Sequence, residues 1–503
     1  MKKIDKRYLC GKIALIAIAA TTMLLALPAG AQSFSSFTAG DIVVSVEGNG
    51  VYGATSGSYT DNQAALLTLF EFNPAGTNSA AFVGSLVLPQ TSSGSNYAIS
   101  GEYGSSSEGT LELSGNGEYL TIMGYGVNAA DFNANPTAYG TTTNDPTKPN
   151  ALGQSGSLTG QSYTAVPRVV ALIGANGSVD TSTALYGVFN GNNPRSAYTV
   201  DGSSFYVSGQ GNSPDATGGV FYATRGSSTA TPITGLDTNS KTSSQDTREV
   251  QVYNNRLYVS VDSKEGSGSN RDFIGTLGAA GSLPTSLANS GNGPTQLSGF
   301  ASSSAGKLTV TAANENSINK TVVGSTINLS PENFFFANPS TLYVADSGSP
   351  KNNSGSSTLG DGGLQKWVNS KPDGSGTWTL EYTLSAGLNL VPNTAASGTT
   401  GLLGLTGEVV GDNIELFATN YTVGDLDPTY LFGITDSLLA TTLPTGEQFS
   451  ILATAPADSN FKGVSLAPVP EPATYIMMLT GLGLLSGFFV RRSSKSCKPL
   501  LTA

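Results

Sequence analysis

The 503-residue chain contains no histidine, and its two cysteines, Cys10 and Cys497, sit near its two ends. Without histidine there is no Ser-His-Asp or Cys-His nucleophile, no imidazole general base and no histidine zinc site. The cysteine-free middle can form neither an internal disulfide nor a thiolate metal site. Its stability must come from core burial, which a body of this length can supply. Charge is scarce as well: 12% of residues are charged, about half the roughly 25% usual for soluble domains. Sustained helical periodicity is also missing from the middle.

The charge that exists is segregated. Lys2, Lys3, Lys6, Arg7 and Lys12 against Asp5 make residues 1–31 net +4, and residues 470–503 are net +3. Residues 32–469 therefore carry 15 basic and 33 acidic side chains, a net charge of -18. An acidic body repels phosphate backbones and argues against nucleic-acid binding. Basic ends bracketing apolar runs are a membrane-targeting arrangement.

Residues 1–31 read as a secretory signal peptide. The basic region precedes the apolar stretch Ile13–Leu27, Pro28 breaks it, and Ala29-Gly30-Ala31 supplies the small-x-small cleavage pattern. At 15 residues the stretch is short of the roughly 20 needed to span a bilayer. This predicts passage through the Sec translocon and cleavage by signal peptidase after Ala31. Cys10 precedes the apolar run, whereas a lipid-bearing cysteine would follow it.

At the other end, Val469-Pro470-Glu471-Pro472 is followed by 18 apolar residues, Ala473–Val490, and then by Arg491 and Arg492. Eighteen residues in a helix cover about 27 Å, just enough for a bilayer core. The arginines predict a cytoplasmic end, with residues 493–503 as a short basic tail and the large body outside the inner membrane. Gly483 and Gly487 form a GxxxG pattern, readable as a helix-pairing face or as small-residue filler. The segment 469–492 resembles the PEP-CTERM sorting signal of Gram-negative bacteria: Pro-Glu-Pro, one transmembrane helix, then arginines. The resemblance implies an exosortase-type transpeptidase as partner, with Pro470, Glu471, Pro472, Arg491 and Arg492 as its recognition features and the outer surface as destination. A simple single-pass anchor is the alternative.

Residues 32–468 show short runs of Val, Ile, Leu, Tyr, Phe and Thr bounded by Gly, Asn, Asp and Ser, the pattern of antiparallel strands and turns. Hairpins are predicted around Gly115-Asn116-Gly117, Asp201-Gly202 and Asn254-Asn255, residues that tolerate the positive φ of tight turns. Their second strands look alike: Tyr119-Leu120-Thr121-Ile122, Phe205-Tyr206-Val207-Ser208, Leu257-Tyr258-Val259-Ser260 and Leu342-Tyr343-Val344-Ala345, with Ile414–Ala418 a looser copy. Their spacing fits no fixed period but suits blades of roughly 50–60 residues with insertions, which predicts an all-β fold, a β-propeller of about seven blades. A β-sandwich or a β-helix is the alternative. Ring closure is expected between Asp41–Val46 and a strand near Phe449–Ala453. The body is also similar to a family of exported bacterial propeller proteins over Leu111–Gly124, Pro167–Thr183, Asn192–Gly211, Arg248–Ser260, Leu329–Ser347 and Gly363–Leu384. That resemblance carries strands and turns, and no catalytic residues.

Candidates for chemistry are few. Asp262 and Asp272 bracket an oxygen-rich loop, and Asp425 and Asp427 lie between Gly424 and Pro428. Both pairs are candidate Ca²⁺ ligands, although neither shows EF-hand spacing and both also read as solvated loops. The only two tryptophans, Trp367 and Trp378, are candidate sugar-stacking residues, with the blade core as the alternative. The expectation is a non-catalytic exported binding or matrix protein working with extracellular polysaccharide. The alternative is a carbohydrate- or lactone-acting enzyme using carboxylates or Ca²⁺, which a gathering of three or more acidic side chains in the central channel would favour.

Overall fold

The computed structural model describes residues 34–140, 151–212, 215–234, 246–262, 272–288, 293–300, 307–309, 326–348, 362–392 and 395–470. The predicted signal peptide with Ala29 and Ala31, and the tail from Glu471 through Arg491 and Arg492, lie outside these residues. Among the described residues helix is limited to Ala129–Ala134 and two short 3-10 turns, and none is long and apolar enough to cross a membrane. The rest is antiparallel sheet.

Four sheets are separate four-stranded meanders. In chain order their strands are Pro194–Tyr198, Ser204–Gly209, Gly219–Thr224, Thr231–Pro232; then Thr247–Tyr253, Arg256–Asp262, Asp272–Leu277, Thr295–Gln296; then Pro331–Asn338, Thr341–Asp346, Gly363–Asn369, Trp378–Leu384; and last Thr399–Val410, Asn413–Thr422, Tyr430–Ser437, Ser450–Thr454. A nine-stranded sheet resolves into two more meanders. One is Ser459–Leu466, Ile42–Gly48, Ala64–Pro74 and Ala80–Val87; the other is Leu111–Leu113, Tyr119–Tyr125, Arg168–Gly174 and Val179–Leu185. The short strand Ser100–Glu102 bridges the two. The first strand of each meander touches the first strand of the next, and the contacts close into a ring. This is a propeller-like arrangement, with the first strands innermost. We number the blades from the one holding Ile42–Gly48 as blade 1, through the Leu111, Pro194, Thr247 and Pro331 blades, to the Thr399 blade as blade 6.

The described residues thus hold six meanders, where the spacing predicts about seven. The long gaps between copies are filled by insertions, such as the one carrying Ala129–Ala134 and the separate hairpin Lys307–Thr309 with Thr326–Asn328. The sixth copy is Ile42-Val43-Val44-Ser45. Two stacked sheets or parallel coils are not present among the described residues. Ring closure pairs Ile42–Gly48 with Ser459–Leu466, Ile42 opposite Leu466. The expected partner near Phe449–Ala453 is instead the outer strand Ser450–Thr454 of blade 6, paired with Tyr430–Ser437.

Because each blade is covered on both faces, successive side chains of a strand enter different core layers. Val43 packs between blades 1 and 2, whereas Ile42, Val44 and Val46 pack between blades 1 and 6. Further layers lie between blades 2 and 3, across blades 3 to 5, and between blades 5 and 6. The repeat in the second strands has a physical cause. Ser45, Thr121, Ser208, Ser260 and Thr419 each donate a side-chain hydrogen bond to a carbonyl of the inner strand of the next blade, or of the residues leading into it: Gly109, Ala197, Arg248, Glu332 and Lys462. Blade 5 has Ala345 at this place and is tied to blade 6 by Tyr343, whose hydroxyl donates to Asp436 Oδ2 at 2.5 Å. The turns follow the expected chemistry: Asn254 and Asn255 adopt φ of 47° and 54°, and Gly202 adopts 81°.

Candidate binding mouth

All inner strands run in the same direction along the channel. Residues at their starts, Arg195 and Arg248, line a cavity of about 240 Å³ at one end. Residues at their far ends, including Leu113, Tyr198, Tyr253, Phe336 and Leu466, line a cavity of about 280 Å³ at the other. We call the first end the mouth and the second the base.

The mouth is assembled from loops that enter inner strands and from loops joining second to third strands. It is lined by Asn62, Glu102, Ser105–Ser107, Asn192, Asn193, Arg195, Gln210, Arg248, Tyr421 and Asp425. Its wall is rigid. Arg195 pairs with the carboxylate of Asp246 and donates to Thr247 O and Gln210 Oε1, both at 3.1 Å. Arg248 Nη1 lies 3.3 Å from Glu332 Oε2. Both arginines are buried, so the ion pairs fix the shape of the wall, and the paired charges leave it close to neutral.

Beneath the mouth, Glu47, Glu102 and Glu108 gather with Lys462 and Arg168. Glu108 accepts from Tyr125 Oη at 2.5 Å and from Asn193 Nδ2. Glu102 accepts from the Gly153 amide. Lys462 Nζ lies 3.7 Å from Glu47 and donates to Ser105 O. Burial raises all three carboxyls above their ordinary range, Glu47 to about 8 despite the opposing pull of Lys462. For Glu102 the neighbouring Glu108 charge adds to the effect of burial. Arg168 is fully buried, lies 4.7 Å over the Tyr125 ring, and donates to the carbonyls of Ser155, Val166, Phe189 and Asn192. It thereby positions Asn192 and Asn193 at the rim. Further down the channel, burial raises the carboxyl of Glu112 against the opposing hydrogen bonds with Glu249 and Gln251, while burial and the Glu112 charge both raise Glu249.

Of the residues singled out from sequence, only Asp425 reaches the mouth. Asp427 accepts from the amides of Gly424 and Gly398 at 2.7 and 3.0 Å, closing its own loop. Asp262 and Asp272 stand opposite each other in register on neighbouring strands, and the loop 263–271 between them lies outside the described residues. No group of three or more Asp, Glu, His or Cys able to hold a metal ion occurs among the described residues. The tryptophans are core residues, a correction to the sugar-stacking expectation. Trp367 is 0% exposed, stacked on Phe300 at 3.9 Å, with Nε1 donating to Gln365 Oε1; Trp378 is 4% exposed and meets Phe336 edge-on. A ring closed on both faces has none to offer a sugar. Arg195, Arg248, Glu102, Asn193 and Gln210 are not legible as a site in the sequence. Their only signal is charge placed inside a strand pattern, as in Asp246-Thr247-Arg248-Glu249.

The fold defines an all-β, propeller-like protein with a polar mouth. Compared with known families, residues 468–493 match the PEP-CTERM protein-sorting motif. The motif marks an exported, membrane-associated protein that an exosortase sorts to the cell surface. No curated protein matches the chain.

Proposed function

We propose that this protein is a surface-displayed binding protein whose propeller engages extracellular polysaccharide at the mouth, without catalysing a reaction. In this reading the Sec translocon exports the chain, signal peptidase cleaves after Ala31, and 473–490 holds it transiently in the inner membrane until the exosortase acts. The observation that carries the binding role is the mouth itself. Amide and hydroxyl side chains of Asn62, Asn192, Asn193, Gln210 and Ser105–Ser107 converge on a charge-compensated wall. Such groups match a neutral, hydroxyl-rich ligand, which offers donors and acceptors in equal measure. A glycan and polysaccharide array probed with the secreted protein, with and without Ca²⁺, tests it. Binding that is lost in Asn193→Ala and Gln210→Ala is the expected result, and absence of binding to every glycan overturns the reading. An intact tail through Ala503 in the mass of the surface form would exclude processing.

One observation favours a second reading, a glycan- or lactone-acting enzyme: three carboxyls gather beneath the mouth, and Glu102, which lines it, is shifted upward by burial and by the Glu108 charge, the direction a general acid requires. Reducing-sugar release or lactone opening by the wild type, abolished in Glu102→Gln, would establish it in place of simple binding.

A further inference from the structure

We propose that the base of the propeller rests on the membrane that holds the sorting tail, so that the mouth faces away from the lipid. This rests on reading 473–490 as a membrane span. The closing strand Ser459–Leu466 runs from mouth to base, and Val469 donates its amide to Gly117 O at 2.8 Å, in the base turn that follows Leu111–Leu113. The described body therefore ends at the base. Four residue steps separate Val469 from Ala473, a reach of about 14 Å even when fully extended. A rigid body of six blades on so short a tether cannot turn over to bring its mouth to the lipid. The other end of the described chain adds to this geometry. Phe34 packs on Gly177, and Phe37 donates to Ala175 O, both in the base turn before Val179.

The surface of the base can meet that occupant, although exposed apolar side chains also stand in mouth-side loops, at Val51, Tyr52 and Leu426; the tether geometry carries the orientation. Val200, Val409, Val410, Leu439, Leu443 and Val469 are exposed large apolar residues, with Leu439 77% exposed. All six lie at the ends of inner strands, in base loops, or at the exit of the chain. Apolar side chains set among polar turns such as Asn116, Asn254-Asn255 and Asp412 suit the headgroup boundary, where short apolar groups enter and the backbone stays wet.

The cysteine-free body makes the test direct. Full-length protein carrying Cys10→Ser and Cys497→Ser receives a single cysteine, Leu439→Cys at the base or Ser106→Cys at the mouth. Each is labelled with an environment-sensitive fluorophore and reconstituted in phosphatidylethanolamine and phosphatidylglycerol vesicles with brominated lipid. Loss of most of the fluorescence at residue 439, none at 106, and equal signals in detergent are the expected result. Protein that floats with the vesicles while both positions respond alike overturns the orientation alone. Protein that fails to float overturns the membrane-span reading and the orientation with it. Leu439→Ser and Val410→Ser, placed outside any core layer, should fold normally and lower vesicle association of the tail-bearing chain.

Discussion

Arg168 shows how a single side chain can set the shape of a site it does not line. Its guanidinium binds four carbonyls from two separate loops, including that of Asn192 at the rim. Arg168→Met keeps most of the volume and leaves those carbonyls without donors. We expect a loss of at least about 3 kcal/mol, read as a lower urea midpoint, together with loss of mouth binding. Glu112 makes a prediction of opposite character. Its carboxyl is raised from the ordinary 4.5 to about 8 by burial, so the folded chain keeps a proton that the unfolded chain has already lost. Its stabilising contribution is complete below about pH 4.5 and declines as pH rises through 8, by at most about 1.4 kcal/mol per pH unit per proton. Thermal melts between pH 5 and 8 should show this decline, and Glu112→Gln should lessen its slope by one group's share, since Glu47, Glu102, Glu108 and Glu249 are raised by burial too.

Among the elements, the second strand of each blade does most to hold the ring together. Its hydroxyl ties one blade to the next in five places, and removing one should cost about 1 kcal/mol. Ser208→Ala is the simplest case: Ser208 donates to Arg248 O, and chemical denaturation should record the loss without a change of fold. Tyr343→Phe should cost more, because it takes a donor from the buried carboxylate of Asp436. These strands are also the most legible part of the sequence, since five share a run of apolar or aromatic residues ending near Ser, Thr or Ala. The copy at Ile42–Ser45 escapes that pattern because no hairpin turn precedes it. Its inner neighbour is supplied from the far end of the chain. The mouth is not legible for a related reason. It takes one or a few residues from each of several loops between Asn62 and Asp425, a pattern with no local spacing. Trp367 and Trp378 mislead because scarcity in sequence says nothing about burial.

For the whole molecule, Ser459–Leu466 is the piece without which the ring is open. A chain ending at Asp458 leaves blade 1 without its inner strand and Ile42–Gly48 with a bare edge. We expect that truncation to aggregate or to be digested by protease, whereas one ending at Pro470 should stay compact, and limited proteolysis distinguishes the two. The same strand also imposes an order of events. Ile42 and Leu466 must meet across more than 400 intervening residues, a closure whose entropy alone costs about 5 kcal/mol. In the Sec route proposed above, it cannot occur until the last blade has crossed the membrane. The N-terminal blade therefore waits, edge exposed, through nearly the whole of export. The sorting motif follows the closing strand almost at once, so the signal for surface delivery emerges only when everything needed to complete the ring is already outside.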